Sequence, residues 1–399
     1  MKPIILGMGC VCSLGGNPAQ IAKNLFSLNA DASFPTDRFS SSYFNQYPVF
    51  QAPKDLLLKK QKDESYSFLF LRTAMAQAFE NAGLNPDDLK TVRAGVCIGT
   101  TVDVSFNCFD FYKSWKQNKN LSLEPLNKYI GYSTAKKVIE NLNLSNAFAQ
   151  TVVTACASGT DAIGIAGQWI ENGLCDVAIC GGCDELNLIP YTGFIKLMIA
   201  SRQPCKPFDK NRNGINLGEA AGVFIMTSEK FARQRNLKSI GTLLGYGNGA
   251  DAYHATSPEP NGRGLSKALL SAMNEAALTS RDIAFINAHA TGTKDNDAAE
   301  AKVFNSLLSG VPVCATKGLT GHTLGAAGAV EACLSLICLN EGKIPKTKNF
   351  QTPDETLGLC PVDKETLTDK TKAAISTSLA FGGCNAAIIL KGCQQAADE

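Results

Sequence analysis

The chain has little of what marks the extreme classes of protein. Its 38 lysines and arginines stand against 36 acidic residues, a formal net charge of only +2. That balance gives no general attraction for nucleic acid or an anionic membrane, although it is compatible with a local basic patch. No apolar run reaches the roughly 18 residues of a membrane span. Pro3 to Gly9 is a short apolar strand without the flanks of an export signal. Histidine is scarce, with three in 399 residues, so each imidazole is informative. The 15 cysteines have no export signal beside them, which implies reduced thiols in the cytoplasm instead of a disulfide framework. What remains is globular, and long enough for one large core or two of nearly two hundred residues each.

The chain is organised around residues 150–170, QTVVTACASGTDAIGIAGQWI. Gln150 to Thr154 reads as a β-branched strand and Ala157 to Trp169 as a helix of small and aliphatic residues. Cys156 falls at their junction, near a helix N-terminus whose unpaired N–H groups favour a thiolate. Ala162, Gly164, Ala166 and Gly167 suit a helix that another backbone approaches closely. A buried structural cysteine would fit the same letters.

Strand and helix patterns alternate elsewhere, which predicts a layered α/β fold. Helices are expected at Pro18–Phe26, in a stretch that Lys59–Lys62 opens or precedes and that runs to Asn81, at Gly193–Ile199 and Leu265–Ala277, and strands at Ala94–Ile98, Cys175–Cys183 and Ile283–Asn287. The charged loop 201–222 and the polar helix that follows its strand mark the best boundary, dividing the chain into 1–230 and 231–399. An internal symmetry links the halves: TACASGTDAIGIAG at 154–167 and LTGHTLGAAGAVEA at 319–332 are both polar loops opening helices of Ala and Gly. Gly7-x-Gly9 invites a dinucleotide reading but lacks the third glycine and the acidic residue after the next strand. Cys180-x-x-Cys183 has no second pair or histidine cluster beside it, so strand burial explains it better than metal.

Two of the three histidines, His289 and His322, stand in glycine-rich loops, where α/β proteins usually place chemistry. His254 reads as a structural residue of a loop or a pocket. A cysteine nucleophile with two imidazoles suits acyl transfer: the sulfur attacks a thioester and N–H donors stabilise the oxyanion. A neutral imidazole at His322 could donate Nε2–H, and the charge of Lys317 would disfavour a second positive charge beside it. Lys317 would otherwise be a surface turn residue.

These motifs together resemble the β-ketoacyl-[acyl-carrier-protein] synthases of the thiolase-like superfamily. The resemblance rests on VVTACASGTDAIGIA, FDKNRNGINLGEAAG, NAHATGT, KGLTGHTLGAAGA and FGGCNAAIIL in the family's order, and with the opening IILGMGCVCSLG it spans the chain. It implies a duplicated five-layer α-β-α-β-α fold and decarboxylative Claisen condensation of an acyl chain on Cys156 with malonyl-acyl carrier protein. The 1–230 half would carry the nucleophile, and 231–399 both histidines and the lysine. His289 and His322 take the two-histidine pattern of elongating synthases, and Lys317 the family's lysine. Thr291 and Thr293 match residues that hold the phosphopantetheine arm. The N–H groups of Cys156 and Phe381 match the acyl-transfer oxyanion hole, and Phe381 also matches an aromatic gate. Glu300, Gly382 and Gly383 fall at supporting positions.

No metal or other cofactor is implied beyond the partner's phosphopantetheine arm. The implied partners are an acyl carrier protein and a second copy of the chain, or a chain-length-factor-like subunit in its place. Lys59, Lys60, Lys62, Lys196 and Arg202 are candidates for the carrier's landing patch.

Several positions depart from the family's pattern. Ala290 stands where glycine is usual and Cys384 where threonine is usual, Ile199–Pro207 is short, and residues 97–115 do not look like the usual glycine-rich stretch. The aromatic run Phe106, Phe109, Phe111, Tyr112 and Trp115 suits either a dimer contact or the wall of an acyl pocket. These departures point to a specialised synthase for a polyene, polyketide or unusual lipid. Two alternatives are a coenzyme A-dependent thiolase, with Cys384 or Cys393 as its second cysteine, and a non-catalytic chain-length or scaffold subunit.

Overall fold

The computed structural model of the chain describes residues 2–35, 38–43, 45–62, 64–103, 109–119 and 122–393. Phe106, named above for an acyl pocket or dimer contact, lies outside the described residues. The strands are β1 (Pro3–Val11), β2 (Ala94–Gly99), β3 (Ala147–Val152), β4 (Val177–Asp184), β5 (Ala220–Ser228), β6 (Gly241–Ala250), β7 (Ile283–Asn287), β8 (Val313–Cys314), β9 (Lys343–Ile344), β10 (Thr366–Leu367), β11 (Ala373–Ala380) and β12 (Cys384–Gly392). The helices that matter here are α1 (Tyr66–Ala82), α2 (Ser158–Glu171), α3 (Leu188–Lys196), α4 (Arg263–Ala276), α5 (Lys294–Leu307) and α6 (Ala327–Glu341).

The strand order is β3-β2-β4-β5-β1-β6-β12-β11-β7-β8, with β9 and β10 pairing apart. Outward from the centre, each half takes two antiparallel steps and then two parallel ones. Among the named strands, the halves pair only through β1 and β6, at Ile4↔Thr242 and Ile5↔Gly241. Helix α1 packs on β1 and β5, α4 packs on β6 and β12, and α2 and α6 pack together between the two sheets. This is the duplicated five-layer α-β-α-β-α arrangement.

Because both faces of each sheet are covered, the central strands are apolar at successive positions. In β4, Ala178 and Cys180 face the central core while Val177, Ile179 and Cys183 face the core under α1. Cys180 and Cys183 therefore lie on opposite sides of one sheet, which removes the CxxC pair as a ligand set.

Small residues set the spacing of the layers. A Cβ on Gly7 or Gly9 would stand 2.1 Å from Ala78 O or 1.8 Å from Ala74 O, both in α1. The Gly-x-Gly that hinted at a dinucleotide serves close packing of helix on strand. At the centre, a Cβ on Gly328 would fall 1.8 Å from Thr160 Oγ1.

The halves' symmetry centres on two matching turns. Ala155–Ala157 leads into α2 and Leu324–Ala326 into α6. Each opens on a non-glycine residue with positive φ, +50° at Ala155 and +54° at Leu324. TACASG thus pairs with TLGAAG, setting Thr154 against Thr323 instead of Leu319, and Gly325 occupies the place of Cys156.

Element ends differ from expectation where side chains cap them. Lys59–Lys62 precedes helix α1 and does not open it: the helix begins at Tyr66, because Ser65 Oγ accepts the Phe68 N–H. Helix α3 likewise starts early, at the side-chain cap from Asn187. Strand β3 ends at Val152, short of Thr154, since the chain must turn into the strained residue Ala155. Among the described residues, one helical stretch, Leu324–Glu341, is long and apolar enough to cross a membrane, and 89% of it is buried in this fold. It is the core helix of the second half.

Candidate active site

The Cys156 turn is held by its neighbours. Left-handed backbone at Ala155 costs about 1 kcal/mol or more. Ser158 Oγ offsets that by donating to Ala155 O at 2.6 Å and accepting Thr154 N–H at 2.9 Å. Asp184 accepts N–H groups from Thr101 and Val102 and, at 2.6 Å, from Gly325, so the turns of the two halves are tied across the interface.

The fold brings Cys156, His289 and His322 together: one Sγ and one ring nitrogen from each histidine lie within 4.8 Å of one another, all buried. The imidazoles meet edge to face with centroids 5.1 Å apart. Hydrogen bonds assign their tautomers. Leu324 N–H donates to His322 Nδ1 at 3.1 Å, so Nδ1 is the acceptor and Nε2 carries the proton. Lys317 Nζ lies 3.1 Å from His289 Nδ1 and also bonds Glu331. An ammonium can only donate, so His289 too presents Nε2–H. Burial, then the charge of Lys317, pushes both histidines well below their usual pKa. Both rings are neutral N–H donors. The lysine touches His289 and acts on His322 only through its field.

These three side chains are metal ligands in type. A cation among them would, however, have to share His289 with the ammonium of Lys317, which makes the set a poor ion site.

Burial pushes the Cys156 thiol up to about 12, against the charge of Lys317 and a hydrogen bond from the Phe381 N–H, which lower it. The expected resting thiolate is therefore corrected: desolvation outweighs the helix N-terminus in the free enzyme. The Phe381 N–H is hydrogen-bonded to the sulfur. Phe381 stacks on Phe194 at 5.5 Å, and Phe194 meets His322 edge-on at 6.4 Å. Gly382 and Gly383 have φ of +79° and +75°, which glycine alone adopts without strain.

Glu300 is fully buried under the His289 loop. It accepts from His289 N, Ala290 N, Asn296 Nδ2 and Thr377 Oγ1. Ala290, flagged as an unusual residue, has φ +39° and is held in that conformation by this carboxylate. Thr291 and Thr293 share a hydrogen bond at 2.9 Å and both line the chamber beside Cys156. The lining also includes Thr256, Ser257 and Pro258. That loop is folded by His254, whose Nδ1 accepts the N–H groups of Thr256 and Ser257. Of the described cysteines only Cys156 lines the chamber. Neither Cys384 nor Cys393 stands where a thiolase's second cysteine would have to act.

Two site residues escaped the sequence reading. Glu331 is the buried partner of Lys317, and its signal was an acid inside the otherwise apolar run of α6. Phe194 carried no signal beyond being aromatic.

A duplicated α/β scaffold with one cysteine and two neutral histidines in a buried chamber defines a thiolase-like condensing enzyme. Residues 2–232 match the β-ketoacyl synthase N-terminal domain and residues 240–351 its C-terminal domain, and the chain belongs to the β-ketoacyl synthase family. It is 29% identical to 3-oxoacyl-[acyl-carrier-protein] synthase 2 of Synechocystis, over 98% of each chain. Among solved structures it resembles the ishigamide ketosynthase/chain length factor, with TM-score 0.89 and 27% identity over 98% of this chain and 99% of that one. It also resembles the ketosynthase ApeO in complex with its chain length factor ApeC from Xenorhabdus doucetiae, with TM-score 0.78 and 28% identity over 98% of both chains. The protein is a ketosynthase that performs Claisen condensation in fatty-acid or polyketide synthesis.

Proposed function

We propose that the enzyme extends an acyl chain held on Cys156 by decarboxylative condensation with malonyl-acyl carrier protein, releasing 3-oxoacyl-acyl carrier protein. The observation that carries this reading is the pair of neutral Nε2–H donors beside the sulfur. Decarboxylation of a malonyl thioester leaves an enolate whose oxygen needs hydrogen-bond donors more than it needs a base. His289 and His322 supply them, and Lys317, fixed by Glu331, keeps them neutral. In the acylation half-reaction the sulfur attacks the incoming acyl thioester, and the Cys156 proton passes to the phosphopantetheine sulfur, which leaves as a thiol. The N–H groups of Phe381 and Cys156 stabilise the tetrahedral oxyanion. The enolate carbon attacks the acyl carbonyl, and the thiolate leaves.

Thr291 and Thr293 hold the amides of the phosphopantetheine arm, Phe381 gates the acyl side, and Glu300, Gly382 and Gly383 support the two loops. Residues 1–230 act as the unit carrying the nucleophile, and 231–399 as the unit carrying the donors. The enzyme works in the cytoplasm on a carrier protein that docks by its acidic face. Lys59, Lys62, Lys196 and Arg202 are exposed, and the last two lie over the rings of Tyr43 and Tyr47. The edge strand β3, with Phe148 exposed on it and Val153 exposed just beyond its end, pairs with a second chain. A second copy satisfies it, and a chain-length-factor subunit is the other arrangement, favoured by the two relatives solved with one.

The test uses the purified enzyme with acyl- and malonyl-loaded carrier protein. Wild type forms a Cys156 acyl adduct by intact mass and yields 3-oxoacyl product. Cys156→Ala forms neither. His322→Ala keeps the adduct and loses decarboxylation by about 10²–10³-fold. Undiminished decarboxylation in His322→Ala would overturn the donor assignment.

A further inference from the structure

The chamber is assembled from two halves. Cys156 comes from the first, while His289, His322 and Lys317 come from the second. The condensation step needs the acyl carbon on the sulfur and the enolate carbon under the imidazoles to meet within a bond-forming distance, a geometry that neither half fixes alone.

A hydrogen-bonded chain runs across this junction behind the nucleophile. Thr154, two residues before Cys156, donates from Oγ1 to Asp161 Oδ2 at 2.6 Å. The hydroxyl of Tyr246 donates to Asp161 Oδ1 at 2.8 Å and accepts from Asn248 Nδ2 at 2.9 Å. Tyr246 and Asn248 stand on β6, in the second half. The Tyr246 ring packs against α2 where Gly164 leaves room, since a Cβ there would lie 2.2 Å from ring atoms. Asp161 is 5% exposed and Tyr246 6%. Neither lines the chamber, and neither touches His289, His322 or Lys317.

A buried carboxylate is costly to keep, and an apolar filling of the same space would hold the layers together as well. The halves are also joined by the neighbouring residue, through Thr160 Oγ1 and Ser378 Oγ, 2.8 Å apart. What the chain adds is a directional constraint on the turn that contains Ala155 and Cys156. Thr154 cannot shift without breaking its bond to Asp161, and Asp161 is tied to the strand next to β12, which follows the Phe381 loop.

We propose that Asp161 and Tyr246 are positioning residues that hold the Cys156 turn in register with the imidazoles of the other half. They serve the two steps that join the halves, acylation and carbon–carbon bond formation, more than decarboxylation. This rests on the condensation reading above. Acylation sets the Cys156 sulfur of the first half against the Phe381 N–H of the second, whereas decarboxylation uses the second half's histidines alone. Acylation and condensation therefore need both sides at once and should feel a small misregister, which can cost about ten- to a hundredfold.

The test measures three rates on the full-length enzyme: Cys156 acylation from acyl-carrier protein, malonyl-carrier protein decarboxylation without a bound acyl chain, and condensation. Tyr246→Phe keeps the ring on Gly164 and removes the hydroxyl. It is expected to lower acylation and condensation about tenfold while decarboxylation stays within about twofold. Thr154→Val breaks the other end and should show the same split. The double variant should lose no more than the worse single, because both cut one chain. Three rates falling together, three rates unchanged, or additive losses would each overturn the proposal. Should Tyr246→Phe fail to fold, Thr154→Val gives the same decision. Wild type that acylates but never condenses would instead refute the condensation reading itself.

Discussion

Lys317 Nζ stands 3.1 Å from His289 Nδ1, with the carboxylate of Glu331 on its other side. The lysine is buried, so its charge acts at full strength on both imidazoles. It does two things at once: it fixes His289 with Nε2–H toward the sulfur, and it opposes protonation of either ring.

Removing that charge should move the acid limb of decarboxylation. Lys317→Met/Glu331→Gln removes both members of the pair and leaves no lone buried charge. Without the ammonium, the histidine pKa values rise toward their ordinary value, so the rings take up protons at a higher pH than in wild type. Malonyl decarboxylation should fall roughly tenfold at neutral pH, and its loss on acidification should begin at a higher pH than in wild type. An unchanged pH–rate profile would show that Lys317 does not govern the rings.

The resting state of Cys156 gives a second outcome. With its thiol pushed up to about 12, the thiolate fraction should grow about tenfold per pH unit throughout the stable range. Alkylation of Cys156 by iodoacetamide, read on its own peptide because Cys360 and Cys393 are exposed, should keep rising from pH 7 to pH 10. A plateau below pH 9 would mean that the helix N-terminus does establish a thiolate in the free enzyme.

Much of this site was legible before any coordinates. Pro18–Phe26 and Ile283–Asn287 form the elements read from their patterns, because a proline start and a β-branched apolar run are local signals. The cysteine at a strand–helix junction and the histidines in post-strand loops were also local, and the fold brought all three together. What could not be read is what depends on partners distant in sequence. The pKa of Cys156 follows from burial by layers contributed by both halves. Glu331 matters only because α6 returns beside Lys317. Asp161 looks like an ordinary helix polar residue until Tyr246, from the other half, is seen on its carboxylate. The internal repeat was visible in the letters but set out of register, since Thr323 and not Leu319 matches Thr154, and only the two left-handed turns reveal that.

The Gly7-x-Gly9 pair supplies the last prediction, because its two readings diverge under one substitution. A phosphate-binding glycine turn would tolerate a change without loss of fold as long as no ligand is present. In this structure Gly9 sits in mid-strand, and a Cβ there would fall 1.8 Å from the carbonyl oxygen of Ala74 and 2.7 Å from its carbon. Backbone cannot yield as a flexible side chain can, so α1 would have to lift from β1. Overpacking of this kind costs about 1–3 kcal/mol and sometimes more. Helix α1 also covers β4 and β5, so its displacement would loosen the outer core of the first half, including Phe68, Leu71 and Met75. Gly9→Ala should therefore lower the Tm and the urea midpoint of the ligand-free protein. Gly310→Ala, with nothing within 4 Å of the new methyl, should cost less despite its left-handed backbone. Equal stability of Gly9→Ala and wild type would contradict the packing distance between α1 and β1 on which the outer layer of the first half depends.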